Sequence, residues 1–225
     1  MRNAAAMTDA TCEPEPRTVL RSKLYQLFAL AITYPDSEWV AAVKTGELAD
    51  SLIGLLGQLD DDLISGIDRN ALCDSGADET ALAVEYTRLF DVGGGDSLVS
   101  LYGGHHHGGR TTAMEEVLRF YHHFGLQLDK SRNELPDHLL SELEFLHFMT
   151  FQEARMEARG QDASHYQRGQ KDFIERQIGR WFPKLRGKLQ DQQPLRYYAE
   201  LFTLLGRFLQ HEQQRLSATF IRAAG

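Results

Sequence analysis

Three consecutive histidines, His105 to His107, lie between two glycine pairs in the stretch GGHHHGG at residues 103–109. In an extended loop, His105 and His107 would point the same way, and two imidazoles with a carboxylate could form an open zinc- or nickel-type site. A glycine-rich loop does not preorganise such ligands, so both histidines are weak candidates for a metal site. We predict no bound metal and no other cofactor, and a helical metal-binding protein remains an alternative.

Three other patterns come close to known chemistry without completing it. Glu144 and His147 form one Glu-x-x-His pair, a unit that helical di-iron proteins use twice, and no second copy is present. Residues 211–215, HEQQR, resemble the zinc-protease pattern HExxH but end in arginine where the second histidine belongs. Neither GGGDSLVS at 93–100 nor GGHHHGG follows a convincing strand or contains the Lys-Ser or Lys-Thr pair of a P-loop.

The elements that must position these side chains have helical spacing throughout. Leu20, Leu24, Leu27, Phe28 and Ala31 form the first apolar stripe, which ends before Pro35. No stretch alternates as a half-buried strand does. We predict an all-α single-domain bundle of about 8–11 helices over residues 17–225, because helices average about 11 residues. A flexible tail at 1–16 precedes it, and a glycine-rich connector at 93–109 interrupts it. Further helices are expected at 47–57, 79–90, 112–124, 136–158, 165–181 and 194–211.

The helix expected at 136–158 has apolar residues on every side, which is typical of a helix in the middle of a bundle. Pro136 suits its first position, and Asp137 in the first turn would complement the positive end of the helix dipole. Glu142, Glu144 and His147 lie on the same helix. Because burial of an unpaired polar group is costly, these three side chains need partners or a ligand.

Composition narrows the classes of partner. The 225 residues have a formal net charge of −8, which disfavours binding to the phosphates of nucleic acid and favours a basic partner. Two distant cysteines, Cys12 and Cys73, predict neither a disulfide framework nor a thiolate zinc site. We find no apolar stretch that resembles a secretory signal or a membrane span, so we expect a cytoplasmic protein. An acidic, mostly apolar bundle would suit a peptide that is basic and then hydrophobic.

Several motifs appear in one order along the chain: EYTRLF at 85–90, SLYGG at 100–104, FYHHFGL at 120–126, ELPDHLLSELEFL at 134–146, RWFPKL at 180–185 and YYAELFTLLGRFL at 197–209. Their order and spacing resemble those of the TorD/DmsD/NarJ family of redox-enzyme maturation chaperones, over about residues 20–210. PDHLxxELEFL is the most specific of these motifs. Within the family, the chain looks most like the delta-type chaperones of ethylbenzene, dimethyl sulfide, selenate or chlorate enzymes.

The resemblance implies an all-helical cytoplasmic chaperone without catalytic activity. Such a protein binds the twin-arginine signal peptide, or the apoprotein, of a molybdenum enzyme of the dimethyl sulfoxide reductase family and delays export until the molybdopterin cofactor is inserted. The expected partner is therefore the catalytic, molybdopterin-binding subunit with its leader, and the expected state is a monomer or a weak or domain-swapped dimer. Carried over by motif, the residues expected to bind the client are Asp137, His138, Tyr86 and Phe90, with Tyr102, Pro136 and Glu142 beside them.

The histidine run departs from the family pattern. It falls between the EYTRLF and FYHHFGL motifs, at the expected mouth of the peptide groove. We expect GGHHHGG to act as a mobile gate rather than a metal cage, since glycine gives a lid its freedom. Besides the metalloprotein, a helical regulatory adaptor unconnected with redox enzymes remains an alternative.

Overall fold

The computed structural model describes residues 15–78, 80–91, 97–127 and 135–223. Within these ranges it contains ten α-helices and no strand, so the predicted all-α fold is confirmed. Residues 1–14 of the predicted tail, including Cys12, and residues 93–96 of the connector lie outside the described ranges. The helices are α1 (Arg17–Ala31), α2 (Ser37–Thr45), α3 (Glu47–Leu59), α4 (Arg69–Leu72), α5 (Ala81–Phe90), α6 (Arg110–His123), α7 (Leu139–Glu157), α8 (Ser164–Arg176), α9 (Ile178–Asp191) and α10 (Arg196–Ala223).

Helix α7 lies in the middle of the bundle, as its sequence predicts. It packs against α1 on one side and α8 on another, and α10 closes the bundle against α8, α9 and α4. Leu143, Leu146 and Met149 of α7 are fully buried. The helix is not buried all round, however, because Glu144 is exposed and the side chain of Phe151 is 48% exposed.

The start of α7 differs from the sequence prediction. The first helical residue is Leu139, and His138 is the N-cap, with extended backbone angles and a side chain that accepts from the N–H of Leu140. Pro136 and Asp137 therefore precede the helix instead of forming its first turn. This leaves the Asp137 carboxylate free to reach another segment of the chain.

Three further boundaries were missed. Helix α2 was not predicted, although Asp36 caps it by accepting from the N–H of Trp39. The helix predicted at 165–181 is two helices, because Gln177 has φ −117° and ψ −102° between α8 and α9. The buried residues Ile174 and Ile178 are four apart, so the apolar period continues across the break and conceals it. Helix α10 continues twelve residues beyond the predicted end at 211.

A buried charged cluster joins four of these helices; we call it the Arg21 cluster. The guanidinium of Arg21, on α1, donates to Glu212 of α10 at 2.6 Å, to Glu153 of α7 at 3.2 Å and to Gln170 of α8. All four side chains are at most 2% exposed. Gln170 also donates to Glu153 at 2.7 Å, so the polar atoms satisfy one another.

Ionic pairing outweighs burial in this cluster. Burial alone would raise the pKa of Glu212, but the charge of Arg21 holds it far below its ordinary value. Burial would likewise lower the pKa of Arg21, and the carboxylates of Glu212 and Glu153 raise it instead. Arg21 and Glu212 therefore stay charged. In the described part of the chain, no helix is both long enough and apolar enough to cross a membrane.

Candidate functional site

Motifs that are far apart in sequence meet at the start of α7; we call this place the PDH site. It combines the SLYGG turn, the PDH segment and the tryptophan of RWFPKL. The hydroxyl of Tyr121, from the FYHHFGL motif, donates to the carbonyl of Pro136 at 2.9 Å. This bond ties the PDH segment to α6. The residues of the PDH site are Tyr102, Gly103, Gly104, Pro136, Asp137, His138, Glu142 and Trp181.

Asp137 fastens the two loops of the site together. Its carbonyl accepts from the N–H of Gly103 at 2.8 Å, and its carboxylate oxygen Oδ2 accepts from the N–H of Gly104 at 2.9 Å. The residue is 1% exposed. The second carboxylate oxygen, Oδ1, is buried and has no hydrogen-bond partner among the described residues. The site therefore contains a buried anionic oxygen whose bonding capacity is unused.

His138 is a neutral cap on α7. Its Nδ1 accepts from the N–H of Leu140 at 3.2 Å, which requires that this nitrogen carry no proton. Burial lowers the pKa of His138 from 6.5 to about 4. The imidazole packs edge-on against the ring of Tyr102, with 4.8 Å between centroids, and the two backbones form an isolated β-bridge. Two of the predicted client-binding residues, Tyr102 and His138, are thus brought together by the SLYGG turn.

Glu142 points inward from the first turn of α7. Both of its carboxylate oxygens lie within hydrogen-bond distance of the indole nitrogen of Trp181, at 3.1 and 3.2 Å. Burial raises the pKa of Glu142 well above its ordinary value of 4.5, and the hydrogen bond from Trp181 offsets only part of that effect. The negative charge of Asp137 raises it further. Burial therefore favours the protonated form of Glu142 in the free site.

The glycines of SLYGG are required for close packing. A Cβ at Gly103 would lie 2.9 Å from the indole nitrogen of Trp181, and one at Gly104 would lie 2.7 Å from the Cα of Arg110. Such distances are shorter than any real Cβ contact. Their role is to let the turn reach Asp137 and Trp181, which differs from the freedom expected for a gate.

The histidine run is folded rather than extended. Gly103–His105 form a 3-10 turn, and the ring of His106 stacks on Trp181 with centroids 5.7 Å apart. Its Nε2 lies 2.7 Å from the carbonyl of Ser100. Burial lowers the pKa of His106 below 6.5. The middle histidine is therefore part of the PDH site, while His105 and His107 are exposed.

A cavity of about 100 Å³ lies beside Glu142 and Trp181. Gly103, His107 and Gly108 form its wall on the side of the histidine run. Gly108 has φ +75°, a conformation that favours glycine, and so the run turns away just where the cavity begins. Of the two buried acids of the PDH site, Glu142 lines this cavity and Asp137 does not.

The predicted pair Tyr86 and Phe90 lies in a different aromatic group. The ring of Phe90 is buried against Tyr198 and Phe202, with centroids 5.6 and 5.7 Å away. Tyr86 is half-buried and contacts Phe90 and the exposed Tyr34. Phe90 therefore belongs to the core, and of the two only Tyr86 reaches the surface.

The candidate metal ligands are dispersed or otherwise engaged. Across the described ranges, no three histidine, cysteine, aspartate or glutamate side chains lie close enough to hold a metal ion. His147 shares no site with the exposed Glu144; its Nδ1 lies 2.9 Å from the carbonyl of Ser22 and donates to it. In HEQQR, Glu212 belongs to the Arg21 cluster and Arg215 pairs with it at 3.1 Å.

Sequence reasoning missed three contributors to these sites. Trp181 was noticed within RWFPKL but received no role, and His106 was overlooked between its neighbours. The only available signal was that the motifs containing them recur together. Arg21 showed no signal at all, since a charged residue on the apolar side of a helix is recognisable only once its partners on α7, α8 and α10 are known.

Comparison with known proteins agrees with the motifs. The family model "Nitrate reductase delta subunit" matches residues 47–186. The chlorate reductase assembly chaperone protein of Ideonella dechloratans is 34% identical, over 78% of this chain and 90% of that protein. The selenate reductase assembly chaperone protein of Thauera selenatis is 35% identical, over 68% of this chain and 79% of that protein.

A third relative extends the similarity to most of the chain. The perchlorate reductase assembly chaperone protein of Dechloromonas aromatica is 30% identical, over 89% of this chain and 92% of that protein. With the family model spanning more than half of the 225 residues, the predicted resemblance is confirmed. The chain belongs to the nitrate reductase delta subunit family, the redox-enzyme maturation chaperones of the TorD/NarJ type.

Proposed function

We propose that this chaperone binds the twin-arginine signal peptide, and the apoprotein attached to it, of a molybdenum enzyme of the dimethyl sulfoxide reductase family. It acts in the cytoplasm, where it holds the catalytic subunit until the molybdopterin cofactor is inserted and so delays export. It has no catalytic activity of its own. Relatives that serve chlorate, selenate and perchlorate reductases support a client of this kind.

The observation that carries the proposal is the pair of buried carboxyl groups at the PDH site. Asp137 has an oxygen without a partner among the described residues, and Glu142 lies beside a cavity. A guanidinium is the natural partner of such groups, because its planar N–H donors match carboxylate oxygens and form charge-assisted hydrogen bonds. A leader with two adjacent arginines supplies one guanidinium for each acid.

Access to the acids requires movement of one turn. The exposed His107 and Gly108 form the outer wall of the cavity, and the positive φ of Gly108 and Gly109 makes this the place where the backbone can change direction. The turn itself stays anchored through His106 and Trp181. The mobile gate that the sequence predicted at 103–109 is thus limited to residues 107–109.

Titration with a leader peptide tests the proposal. The peptide is the twin-arginine leader of a molybdenum enzyme of the dimethyl sulfoxide reductase family, and its control has both arginines replaced by lysine. Binding should saturate for the arginine peptide and be weaker for the lysine peptide, since an ammonium cannot form a two-pronged contact. If neither the leader nor the whole apoenzyme binds, the proposed function is wrong.

A further inference from the structure

A groove between α6 and α8 is a second concave surface, and described residues supply its walls. We call it the α6/α8 groove; its volume is about 340 Å³, in the range of binding pockets. Its wall residues of greatest interest are Glu116, Arg119, Phe120, Phe124, Arg168 and Arg176. The function proposed above makes no use of it.

The floor of the groove is aromatic. Phe120 and Phe124 are half-buried, and each rests on a core ring, Phe173 at 5.1 Å and Phe145 at 5.9 Å between centroids. Gly169 on α8 makes room for them, because a Cβ there would lie 2.4 Å from Phe124. The floor can therefore accept an apolar side chain without a change in the helices.

The rim of the groove is basic, in contrast to the protein as a whole. Arg119, Arg168 and Arg176 are exposed around it, whereas the chain has a formal net charge of −8. Two carboxylates, Glu116 and Asp172, also line it. Glu116 accepts a hydrogen bond from Gln177 at 3.0 Å, so it is partly engaged already.

The basic rim continues toward the PDH site. Glu116, Arg176 and Gln177 line both the groove and the smaller cavity beside Glu142, and Arg180 adds a further cation there. Arg119 and Arg168 line the groove and not the smaller cavity. A segment with two arginines would be repelled by the arginines of the groove, whereas an acidic segment would be attracted to them.

We propose that the α6/α8 groove is a second client-binding surface, which takes an acidic segment with apolar side chains from the mature part of the apoprotein. The arginines pair with its carboxylates and the aromatic floor receives its apolar groups. This inference rests on the proposed function, since it assumes that the client is the apoenzyme. It divides the two parts of one client between two surfaces of opposite charge.

The test measures binding of a labelled synthetic peptide to the full chain by fluorescence anisotropy. The peptide repeats Asp-Glu-Phe-Leu, and its control repeats Lys-Lys-Phe-Leu. The variant protein combines Arg168→Glu and Arg176→Glu, both at exposed positions of α8. The matched control is Arg159→Glu, also exposed and outside the groove lining.

The acidic peptide should bind the wild-type chain, and the double reversal should weaken it about tenfold, with a loss that shrinks as salt is added. Arg159→Glu should change affinity by less than about twofold. Circular dichroism establishes that each variant is folded; if the double variant is not, Arg168→Gln is used, with a loss of about threefold expected. Equal binding of both peptides, or equal loss in the control variant, overturns the proposal.

Two further outcomes distinguish this inference from a binding site for small anions and from the leader proposal. If inorganic pyrophosphate displaces the acidic peptide at equimolar concentration, the groove is a site for small anions and the inference is wrong. Leader binding should be unaffected by Arg168→Glu alone, because Arg168 lines the groove and not the cavity beside Glu142. If the leader binds no variant and not the wild type, while the acidic peptide still depends on Arg168 and Arg176, the leader proposal fails and the groove stands.

Discussion

Carboxyl groups are buried in two regions of this protein, and the two regions treat them in opposite ways. In the Arg21 cluster, Glu153 and Glu212 share one guanidinium, and the charge of Arg21 holds the pKa of Glu212 far below its ordinary value. At the PDH site, no ion pair joins Asp137 or Glu142 to a cationic side chain within the described residues, and burial raises the pKa of Glu142 well above its ordinary value. The carboxylates of the Arg21 cluster have their partners, whereas the PDH site still has a carboxylate oxygen without one among the described residues.

The difference teaches which region stabilises the fold and which is available for a ligand. A buried charge is tolerable when its partner is also buried and every lone pair is used, as around Arg21. An unpartnered oxygen such as Asp137 Oδ1 lowers stability and is worth retaining only if something else benefits. The Arg21 cluster is also a model of what the PDH site is expected to become when a leader arginine enters it.

The largest expected effect comes from opening the completed cluster. Arg21→Met leaves Glu153 and Glu212 buried without their cation, and we expect the free energy of unfolding to fall by about 3–5 kcal/mol. Urea denaturation measures it, with Arg159→Met on the surface as the control, expected to change stability by less than about 0.5 kcal/mol. A loss below about 1 kcal/mol for Arg21→Met would mean that the cluster does not tie the helices together.

The next effect is a loss of stability at low pH, which we expect from His138 at the PDH site. Since burial lowers the pKa of His138 from 6.5 to about 4, the unfolded chain takes up a proton before the folded one does. The stability that neutral His138 contributes is fully present above pH 6.5 and is lost as the pH falls toward 4. The loss is at most about 3 kcal/mol, from 1.36 kcal/mol per pKa unit.

Comparison with His138→Asn isolates that share, because asparagine can still cap α7 and does not titrate. Unfolding free energies at pH 7 and pH 5 should differ less in the variant than in the wild type. Other titrating groups, including His106, contribute equally to both proteins. Identical differences in the two proteins would show that His138 is not held neutral by the fold.

Removing the charge of Asp137 should affect binding more than folding. In Asp137→Asn, the amide oxygen can still accept from the N–H of Gly104, but the anion that pairs with a guanidinium is lost. We expect leader affinity to fall about tenfold, or about 1.4 kcal/mol, with stability changed by less than about 1 kcal/mol. Calorimetric titration and thermal melts measure the two effects, with Glu157→Gln on the exposed end of α7 as the control. An equally large loss of stability would make Asp137 a structural residue.

The smallest effect is expected at Glu142. Its replacement should raise the stability of the fold while weakening the binding of the leader. Glu142→Gln keeps an acceptor for Trp181 and removes a group whose ionisation burial opposes, so stability at neutral pH should rise by about 1 kcal/mol. Wild-type leader affinity should rise with pH across the range in which Glu142 of the free site titrates, since a bound guanidinium lowers the raised pKa of Glu142 and favours release of its proton. The variant should lose this pH dependence; if it retains it, Glu142 does not contact the leader.

The fold followed from local patterns to a large extent. Helical spacing of apolar residues predicted the all-α class and the central place of α7, because burial of one apolar face is a property of the segment itself. The break at Gln177 and the extension of α10 through Glu212 could not be predicted in this way. In the first case the apolar period runs across the break, and in the second a charged residue takes an apolar position.

The sequence by itself determined the helical class, the family and the segment, PDHL, around which the site is built. Only the tertiary structure decided that His138 caps the helix, that Asp137 holds the SLYGG turn, and that Glu142 meets Trp181. It also separated Phe90 from that site and placed Arg21 among its three partners. The physical reason is that helix propensity and amphipathic spacing act over a few residues, whereas the charge state of a buried group depends on partners more than a hundred residues away.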